Sequence, residues 1–533
     1  MKNYFALLTD LTDNLLNSSK DSDFLTSNFH NFRPICPSAF FVKRALLNLS
    51  SSLNIISDNY KSEDTFDRSI KSLEQAFNHI DKALYDVDSF CLSLIDASNM
   101  YQLTLTYDKV LDFVNANKKE TLQELLLKYI DVSYKKAKAL KPKELFMYGI
   151  SLHAYKYFPC QEKLSILENL GSILPDCPSI ENQVIYLVCD IYKNTKDSPF
   201  ENEAFLVKAK EKADSLLFTV QPDNSLLDRN GSSCLSKYIS SFFYLVALDN
   251  DERYKKVLHY ILAFLIKDDF LEIFKNPEAF LMPSFILLNR NIYDMQVQKV
   301  SQKEAFSDFN GIDQGLGLFK HGNGSNLSST IITNSPDFYV LQEGDLKLRL
   351  RLNATFFGPK GRFESKDMVV DGNQIFLNYN REWGYFLPLE DKSINAIDGI
   401  DINKKDRTMT TLQTIDMNVK IELLDQGADI TIDISGVDDL ACKLDLVFDK
   451  QGYFNSDSCS IFTQKDDHIQ LQRGAFTYCY GKNTISVSSA FEGRAKSSRD
   501  LRGSLAPVEG AFTVYFTDMT PCSHTISIRG GKL

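Results

Sequence analysis

A polar segment at residues 221–245, QPDNSLLDRNGSSCLSKYISSFFYL, holds the strongest candidates for chemistry in the first half of the chain. Five of its side chains are able to bind or react with an acidic ligand: Asn224, Arg229, Asn230, Lys237 and Tyr238. The amide of Asn224 and the guanidinium of Arg229 can hold a carboxylate, while Tyr238 can take up a proton as a base. Turn and capping residues between two helices have the same composition, so a plain inter-helix loop is the alternative interpretation.

Two histidines outside this segment are further candidates. His153 and Tyr157 in SLHAYKYF are four residues apart, which places them on one face of a helix, where they either bind a ligand or simply pack. His321 stands in a stretch rich in glycine and asparagine, KHGNGSNL, and histidine can act as an acid or a base near neutral pH. A histidine in a surface loop is the alternative there.

A row of cations and aromatic residues follows at residues 345–388. Its members are Lys347, Arg349, Arg351, Lys360, Arg362, Arg381, Trp383 and Tyr385. Arg349 and Arg351 alternate with leucines, so they share one face of a strand, and Trp383 is the single tryptophan of the chain. Such cations pair with carboxylate or sulfate groups, and an indole ring stacks on a sugar face. A solvated strand face with one packed aromatic ring explains the same pattern.

The elements that must position these residues change in type near residue 305. Residues 1–300 contain only three of the 24 glycines, and apolar stripes of helical period recur there, for example at Val257, Ile261 and Phe264. The helical runs show no fixed repeat. We therefore expect residues 1–305 to form an incomplete (α/α) toroid of helical hairpins, with an open solenoid as the alternative.

The remaining residues, 306–533, alternate between apolar and polar side chains in many short runs. One run places Leu346, Leu348 and Leu350 on one face, and another does the same with Ile430 and Ile432. Glycine, asparagine and aspartate punctuate the runs. This pattern predicts a large antiparallel β-sandwich, so the whole chain is expected to be an α+β multidomain protein with a helical first domain.

Composition narrows the class of function. The net charge of −11 and the pI near 5.3 make sequence-independent nucleic-acid binding a poor interpretation, because that binding requires cations to neutralise phosphates. No apolar run is long enough to span a membrane, and the opening residues MKNYFALLTDLTDNLL do not resemble a signal peptide, so a cytoplasmic location is expected. The ten cysteines include no CxxC pair, which predicts no structural zinc and mostly buried, reduced thiols. Nucleotide and zinc-protease motifs are absent, and we expect no cofactor or metal.

A helical hairpin array followed by a large antiparallel sandwich resembles the heparinase II/III-like and alginate-lyase-like polysaccharide lyases of bacteria. The residues that carry the resemblance are FFGPKGRF at 356–363 and the aromatic stretch at 379–388. The family's His-rich motif corresponds here to KHGNGSNLSSTI, in which His321 is the histidine. This resemblance implies a catalytic role for His321.

The resemblance also implies an activity. A uronate lyase neutralises the sugar carboxylate, removes the neighbouring proton and expels the 4-linked oxygen, without a metal. We therefore expect cleavage of an acidic oligo- or polysaccharide by β-elimination, with Asn224, Arg229, Tyr238 and His321 in the catalytic roles. The remaining candidates would bind substrate: His153, Tyr157, Asn230, Lys237, Arg349, Arg351 and Trp383. The alternatives are a toroid glycoside hydrolase and a non-catalytic glycan-binding or assembly protein.

Overall fold

The computed structural model describes ten stretches and a few single residues of the chain. They are residues 185–198, 201–227, 235–268, 298–322, 324–355, 358–384, 386–387, 407–472, 474–489 and 508–533, with residues 120, 145, 148, 149, 152 and 182. The chain divides into two compact units. The first comprises Met1–Leu217 and Asn230–Ala305, and the second comprises Phe218–Arg229 and Phe306–Leu533. The short segment Phe218–Arg229 therefore belongs with the strand-rich unit, although it lies in sequence among the helices.

Helices dominate the described residues before 307. They are α1 Ile185–Thr195, α2 Ala204–Phe218, α3 Ile239–Asp249, α4 Glu252–Asp268 and α5 Gln302–Phe306, with a 3-10 helix at Leu235–Tyr238. The apolar stripe of α4 is buried at Val257, Leu258 and Ile261, as its helical period predicts. Most of residues 1–305 lie outside the described residues, so the toroid remains a prediction. No helix within the described stretches is long and apolar enough to cross a membrane.

Buried tyrosine hydroxyls tie these helices together. Tyr244 of α3 donates to Asp190 Oδ1 of α1 over 2.9 Å. Tyr254 of α4 donates to Asp214 Oδ1 of α2 over 2.7 Å. Burial raises the pKa of Asp214, and this outweighs the hydrogen bond from Tyr254, which lowers it. Each bond satisfies a polar group that would otherwise be costly to bury.

The second unit is built from strands. They are β1 Gly311–Asp313, β2 Leu318–His321, β3 Leu327–Ile332, β4 Tyr339–Glu343, β5 Leu346–Ala354, β6 Met368–Asp371, β7 Gln374–Trp383, β8 Gln413–Leu424, β9 Gly427–Gly436, β10 Ala441–Phe448, β11 Tyr453–Ser456, β12 Ser460–Phe462, β13 His468–Gln470, β14 Gly474–Tyr480, β15 Asn483–Ser489, β16 Phe512–Met519 and β17 Cys522–Lys532. An eight-stranded sheet has the order β1-β2-β3-β4-β5-β10-β16-β13, and a nine-stranded sheet has the order β12-β11-β14-β15-β17-β9-β8-β7-β6. The predicted sandwich is confirmed, and its pairings are antiparallel except for β13 with β16.

One apolar core joins the two sheets. Leu348 and Leu350 of β5 contribute from the eight-stranded sheet, and Ile430 of β9 contributes from the nine-stranded sheet. Phe448 of β10 stacks on Tyr478 of β14 with ring centroids 4.1 Å apart, which brings aromatic rings from the two sheets into direct contact. Burying each such side chain contributes about 1.5–3 kcal/mol. The core therefore defines an inner face of each sheet, and alternate residues form the outer face.

Glycine is required where β9 approaches β17. Gly427 has a φ of +143°, and a Cβ there would lie 2.1 Å from the carbonyl oxygen of Ile528. Both features exclude an ordinary side chain. The position therefore keeps β9 and β17 in register at the start of their ladder, where Gly427 pairs with Arg529.

Candidate functional site

The outer face of the eight-stranded sheet is both polar and buried. Ser328, Thr330 and Gln342 alternate with core residues along β3 and β4, and each is at most 1% exposed. Their neighbours in register are lysines: Thr330 pairs with Lys320 and Gln342 pairs with Lys347. Among the described residues, the hydroxyls of Ser328 and Thr330 and the amide oxygen of Gln342 have no hydrogen-bond partner. Buried polar atoms are costly unless paired, so this face is suited to a polar ligand or water.

Lys320 is the most perturbed cation of this face. It is fully buried in β2, and its Nζ donates to the carbonyl oxygen of Val220 over 2.7 Å. Within the described stretches it forms no ion pair. Burial and, to a smaller extent, the charge of Lys347 lower its pKa to about 7, while the carboxylate of Asp223 acts in the opposite direction. Near neutral pH this amine therefore exists in both its charged and its neutral form.

A small hairpin at residues 219–227 supplies the carbonyl group that binds Lys320. Val220 and Leu226 form an antiparallel bridge, supported by the bond from Leu227 N to Thr219 O over 2.8 Å. Asn224 sits in the turn with a φ of 64°, a conformation that asparagine tolerates well. The sequence predicted either a binding loop or a turn for this segment. The backbone forms a turn, and the hairpin contacts Lys320 on the outer face of the eight-stranded sheet.

Asp223 stabilises that turn through its own side chain. Its Oδ1 accepts hydrogen bonds from Ser225 N over 3.0 Å and from Ser225 Oγ over 2.6 Å. Aspartate commonly closes turns in this way. The same carboxylate is close enough to Lys320 to influence its protonation. The turn thus combines a structural role with an electrostatic effect on the buried lysine.

His321 lies on the other side of β2 from Lys320. Successive residues of a strand point to opposite faces, so Lys320 points outward and His321 inward. His321 is half-buried and pairs in register with Ser329, whose Oγ lies 2.9 Å from the hydroxyl of the core residue Tyr339. The hairpin that carries Asn224 contacts the outer face. The structure therefore does not bring His321 and Asn224 to one face of the sheet.

The other candidates from the first 300 residues either belong to the first unit or fall outside the described residues. Tyr238 belongs to the first unit, where it is half-buried and immediately precedes α3. Lys237 lies beside it in the 3-10 helix. The remaining candidates, Arg229, Asn230, His153 and Tyr157, fall outside the described residues.

Two of the predicted cations on β5, Arg349 and Arg351, are paired with carboxylates. Arg349 Nη1 lies 3.3 Å from Asp337 Oδ2, and its Nη2 pairs with Asp449. Arg351 Nε pairs with the other oxygen of Asp337. Burial lowers the pKa of Arg349, but the carboxylates of Asp449 and Asp337 outweigh it and raise the pKa. Both arginines therefore already have the type of partner that an acidic sugar would offer.

Trp383 already has contacts with a cation and with the apolar core. The ammonium of Lys360 lies 4.3 Å from its ring centroid, within the range of a cation–π contact. The ring also packs against the edge of the apolar core. Stacking of a sugar on this indole would require Lys360 to move.

Sequence reasoning missed Lys320. Its neighbours in LFKH mark a short strand, and a lysine there is ordinary when read alone. Its burial depends on Val220, which is 100 residues away in the sequence. The alternation of side chains along a strand was the one indication in the sequence, because it places Lys320 on the opposite face of the strand from His321.

Comparisons with known proteins identify the fold. No protein-family model and no curated protein sequence matches the chain. A structure of a heparinase III gene product with methylated lysines is similar, with a TM-score of 0.51 and 9% identity, over 94% of this chain and 79% of that chain. A second structure of a heparinase III gene product has a TM-score of 0.49 at 8% identity, over 94% of this chain and 80% of that chain. A heparan sulfate lyase HepC from Pedobacter heparinus has a TM-score of 0.42 at 10% identity, over 94% and 78%. The likeness at 0.51 shows a polysaccharide-lyase-like fold.

Proposed function

We propose that this protein is a carbohydrate-active enzyme that cleaves uronate-containing oligo- or polysaccharides by β-elimination. The observation that carries the proposal is the likeness to heparinase III, at a TM-score of 0.51 along 94% of the chain. Fold alone does not fix an activity, so the proposal also depends on the residues that would do the chemistry.

The reaction requires three things of the protein. Cationic or amide groups must neutralise the sugar carboxylate, a base must remove the neighbouring proton, and an acid must protonate the leaving oxygen. We assign Asn224 and Arg229 to the carboxylate. Tyr238 is assigned to the proton transfers. His321 remains a predicted catalytic residue, although it lies on the face of β2 opposite to Lys320.

Lys320 extends this set as a second cation for the carboxylate. Its pKa of about 7 allows the charge to respond to a bound anion, since an anion close to the amine favours the ammonium form. The hydroxyls of Ser328 and Thr330 have no hydrogen-bond partner in the described part of the chain, which suits a ligand rich in hydroxyl groups. Lys320 is sealed by the hairpin at 219–227, so contact with a sugar requires that hairpin to move.

The ion pairs seen in the structure change the importance of two other predicted substrate-binding residues. Arg349 and Arg351 are paired with carboxylates, so we give them a smaller role than the sequence predicted. His153, Tyr157, Asn230, Lys237 and Trp383 remain predicted binding residues. The partner is an acidic glycan, and the cytoplasmic location stays a prediction.

The experiment is an assay with heparan sulfate, heparin and alginate as separate probes. Lyase action produces an unsaturated uronate that absorbs in the near ultraviolet, together with one new reducing end per cleavage. Reducing ends without the absorbance would replace the proposal with a glycoside hydrolase. Binding of a probe without either product would replace it with a non-catalytic glycan-binding protein.

Variants then test the assigned residues. Tyr238→Phe and His321→Ala should each lower kcat by about 100-fold or more, since each removes an acid or base. Tyr453→Phe and His468→Ala are the matched controls, because Tyr453 is 56% exposed and neither residue has an assigned role. Equal losses in the variants and their controls would argue against the assignments.

A further inference from the structure

Two thiols, an imidazole and a carboxylate meet between the sheets of the sandwich. Cys442 of β10 is opposite Asp518 of β16 in the eight-stranded sheet. Cys522 and His524 are the first and third residues of β17 in the nine-stranded sheet. The two sulfur atoms are 3.5 Å apart. The cluster therefore joins side chains from both sheets at one point.

The two thiols differ in their surroundings. Cys442 is 1% exposed, and its sulfur lies 3.3 Å from the carbonyl oxygen of Asp518 and 3.5 Å from the sulfur of Cys522. Cys522 is half-buried and follows the exposed residue Pro521. The hydrogen bond between the thiols and burial both raise the pKa of Cys442. The same hydrogen bond, supported by His524, lowers the pKa of Cys522, although burial opposes this.

His524 and Asp518 support the charge on Cys522. His524 Nε2 lies 2.6 Å from Asp518 Oδ2, and Asp518 Oδ1 accepts from Met519 N over 2.8 Å, so both carboxylate oxygens have a partner. Burial lowers the pKa of His524, but its hydrogen bonds to Cys522 and Asp518 outweigh burial and raise it. An imidazolium held by a carboxylate is the kind of neighbour that makes a cysteine reactive. No group of three or more such side chains in the described residues, this cluster included, is arranged to hold a metal ion.

We propose that Cys522 and Cys442 form a redox-active pair, in which Cys522 reacts with a hydroperoxide and Cys442 then closes a disulfide between the two sheets. The Cys522 thiolate attacks the terminal oxygen of the hydroperoxide and breaks its O–O bond. This gives a sulfenic acid, and the leaving alkoxide or hydroxide takes a proton. Cys442 then attacks the sulfenic sulfur and releases water, so that the two thiols are oxidised and one hydroperoxide is reduced.

The geometry favours resolution by Cys442 over further oxidation. A disulfide has its sulfurs about 2.0 Å apart, so the pair must close by roughly 1.5 Å from the observed 3.5 Å. The other described cysteines, Cys189, Cys459 and Cys479, have no thiol partner of this kind. The bond would link residues 80 positions apart and tie β10 directly to β17. This disulfide would crosslink the two sheets of the sandwich. The proposal does not depend on the proposed lyase activity.

The first test uses the full-length protein with its natural cysteines. The protein is treated with a small molar excess of hydrogen peroxide, its remaining thiols are blocked, and it is digested without a reductant. We expect one peptide pair joined through Cys442 and Cys522, absent when dithiothreitol is added before digestion. The oxidised protein should also show a Tm several degrees higher, because the crosslink restricts the unfolded chain. Absence of the linked peptides, with Cys522 either unreacted or oxidised to a sulfinic acid, overturns the proposal.

Variants separate the two roles. Cys442→Ser should leave Cys522 able to react but unable to close the bond, so a sulfenic acid accumulates and is trapped by dimedone. Cys459→Ser is the matched control, because Cys459 is an exposed thiol outside the cluster, and its loss should leave the linked peptides unchanged. In the natural protein at pH 7, iodoacetamide should modify Cys522 at least about ten times faster than Cys459. Faster modification of Cys459 contradicts the proposal even if a cluster variant fails to fold.

Discussion

Cations at two positions on the outer face of one sheet are stabilised in different ways. Arg349 and Arg351 on β5 are paired with Asp337, and Arg349 also with Asp449. Lys320 on β2 is more deeply buried, yet it is held by a backbone carbonyl and lies close enough to Lys347 to be repelled by it. A paired arginine keeps its charge at every ordinary pH, whereas an unpaired buried lysine loses its charge near neutrality.

The paired arginines have a structural role, whereas the charge of Lys320 is available to a ligand. Removing a charge from water is costly, and a matched carboxylate repays part of that cost. The arginines therefore fasten β5 to the segments that carry Asp337 and Asp449. Among the described residues no carboxylate forms an ion pair with Lys320, and the electrostatic effect of Asp223 offsets only part of the effect of burial. An anionic ligand that reached Lys320 would therefore gain more than one that competed with Asp337. Two experiments test this contrast, and a third and smaller effect concerns the contact between Lys360 and Trp383.

The largest effect is expected for the pH dependence of unfolding. The pKa of Lys320 is about 7 in the folded protein and 10.5 as a free group, so between these values the unfolded chain binds a proton that the folded chain does not. The contribution of Lys320 to the free energy of unfolding therefore rises with pH across that window, by up to about 1.4 kcal/mol per pH unit. Lys320→Met should abolish that contribution, as measured by urea unfolding at several pH values from 7 upward.

The comparison between the two proteins isolates this residue. Buried thiols such as Cys189 have raised pKa values and contribute a slope of opposite sign at alkaline pH, but they do so equally in both proteins. Lys420→Met, a change at a half-buried lysine on β8, is the matched control and should leave the slope unchanged. Parallel pH curves for the natural protein and Lys320→Met would show that Lys320 is charged or exposed in both states.

The second effect concerns the paired arginines. Asp337→Asn removes one carboxylate that serves both Arg349 and Arg351, and leaves partly buried guanidinium groups without it. We expect a loss of about 2–3 kcal/mol in unfolding free energy, somewhat below the range for a fully buried pair because these side chains keep some exposure. Asp371→Asn, at an exposed position that ends β6, should change it little. If Asp337→Asn lowers the unfolding free energy no more than Asp371→Asn does, the ion pairs contribute little to stability. Arg349 and Arg351 would then be available to bind an acidic sugar.

The same contrast shows what could be predicted from the sequence. Alternation in the run from Leu346 to Leu352 correctly assigned the arginines to one face and the leucines to the core. The pattern carries no information about what covers that face. Asp449 lies 100 residues from Arg349, and Val220 lies 100 residues from Lys320.

Long-range partners also explain the other missed features. Cys442 and Cys522 are 80 residues apart, and their scattered positions predicted only isolated, buried thiols. Asn224 was predicted to be either a ligand or a turn residue, because its local sequence supports both. Its backbone φ of 64° shows the turn, and a role as a ligand stays a prediction. The sequence therefore predicts which side chains are able to do chemistry. Which partner each of them contacts depends on the fold.

The smallest effect is expected at the single tryptophan. Lys360 lies over one face of Trp383, and the core edge contacts the ring as well, so an added glycan should find little free indole surface. Addition of heparin oligosaccharides should therefore leave the tryptophan emission of the natural protein nearly unchanged. Lys360→Met should shift that emission, because it removes a charge 4.3 Å from the ring, while changing Tm by roughly a degree or less, since one cation–π contact at a solvated site is weak. Strong quenching of the natural protein by the oligosaccharide would instead show that the sugar displaces Lys360. Trp383 would then be a substrate-binding residue, and the binding surface would include β7 of the nine-stranded sheet.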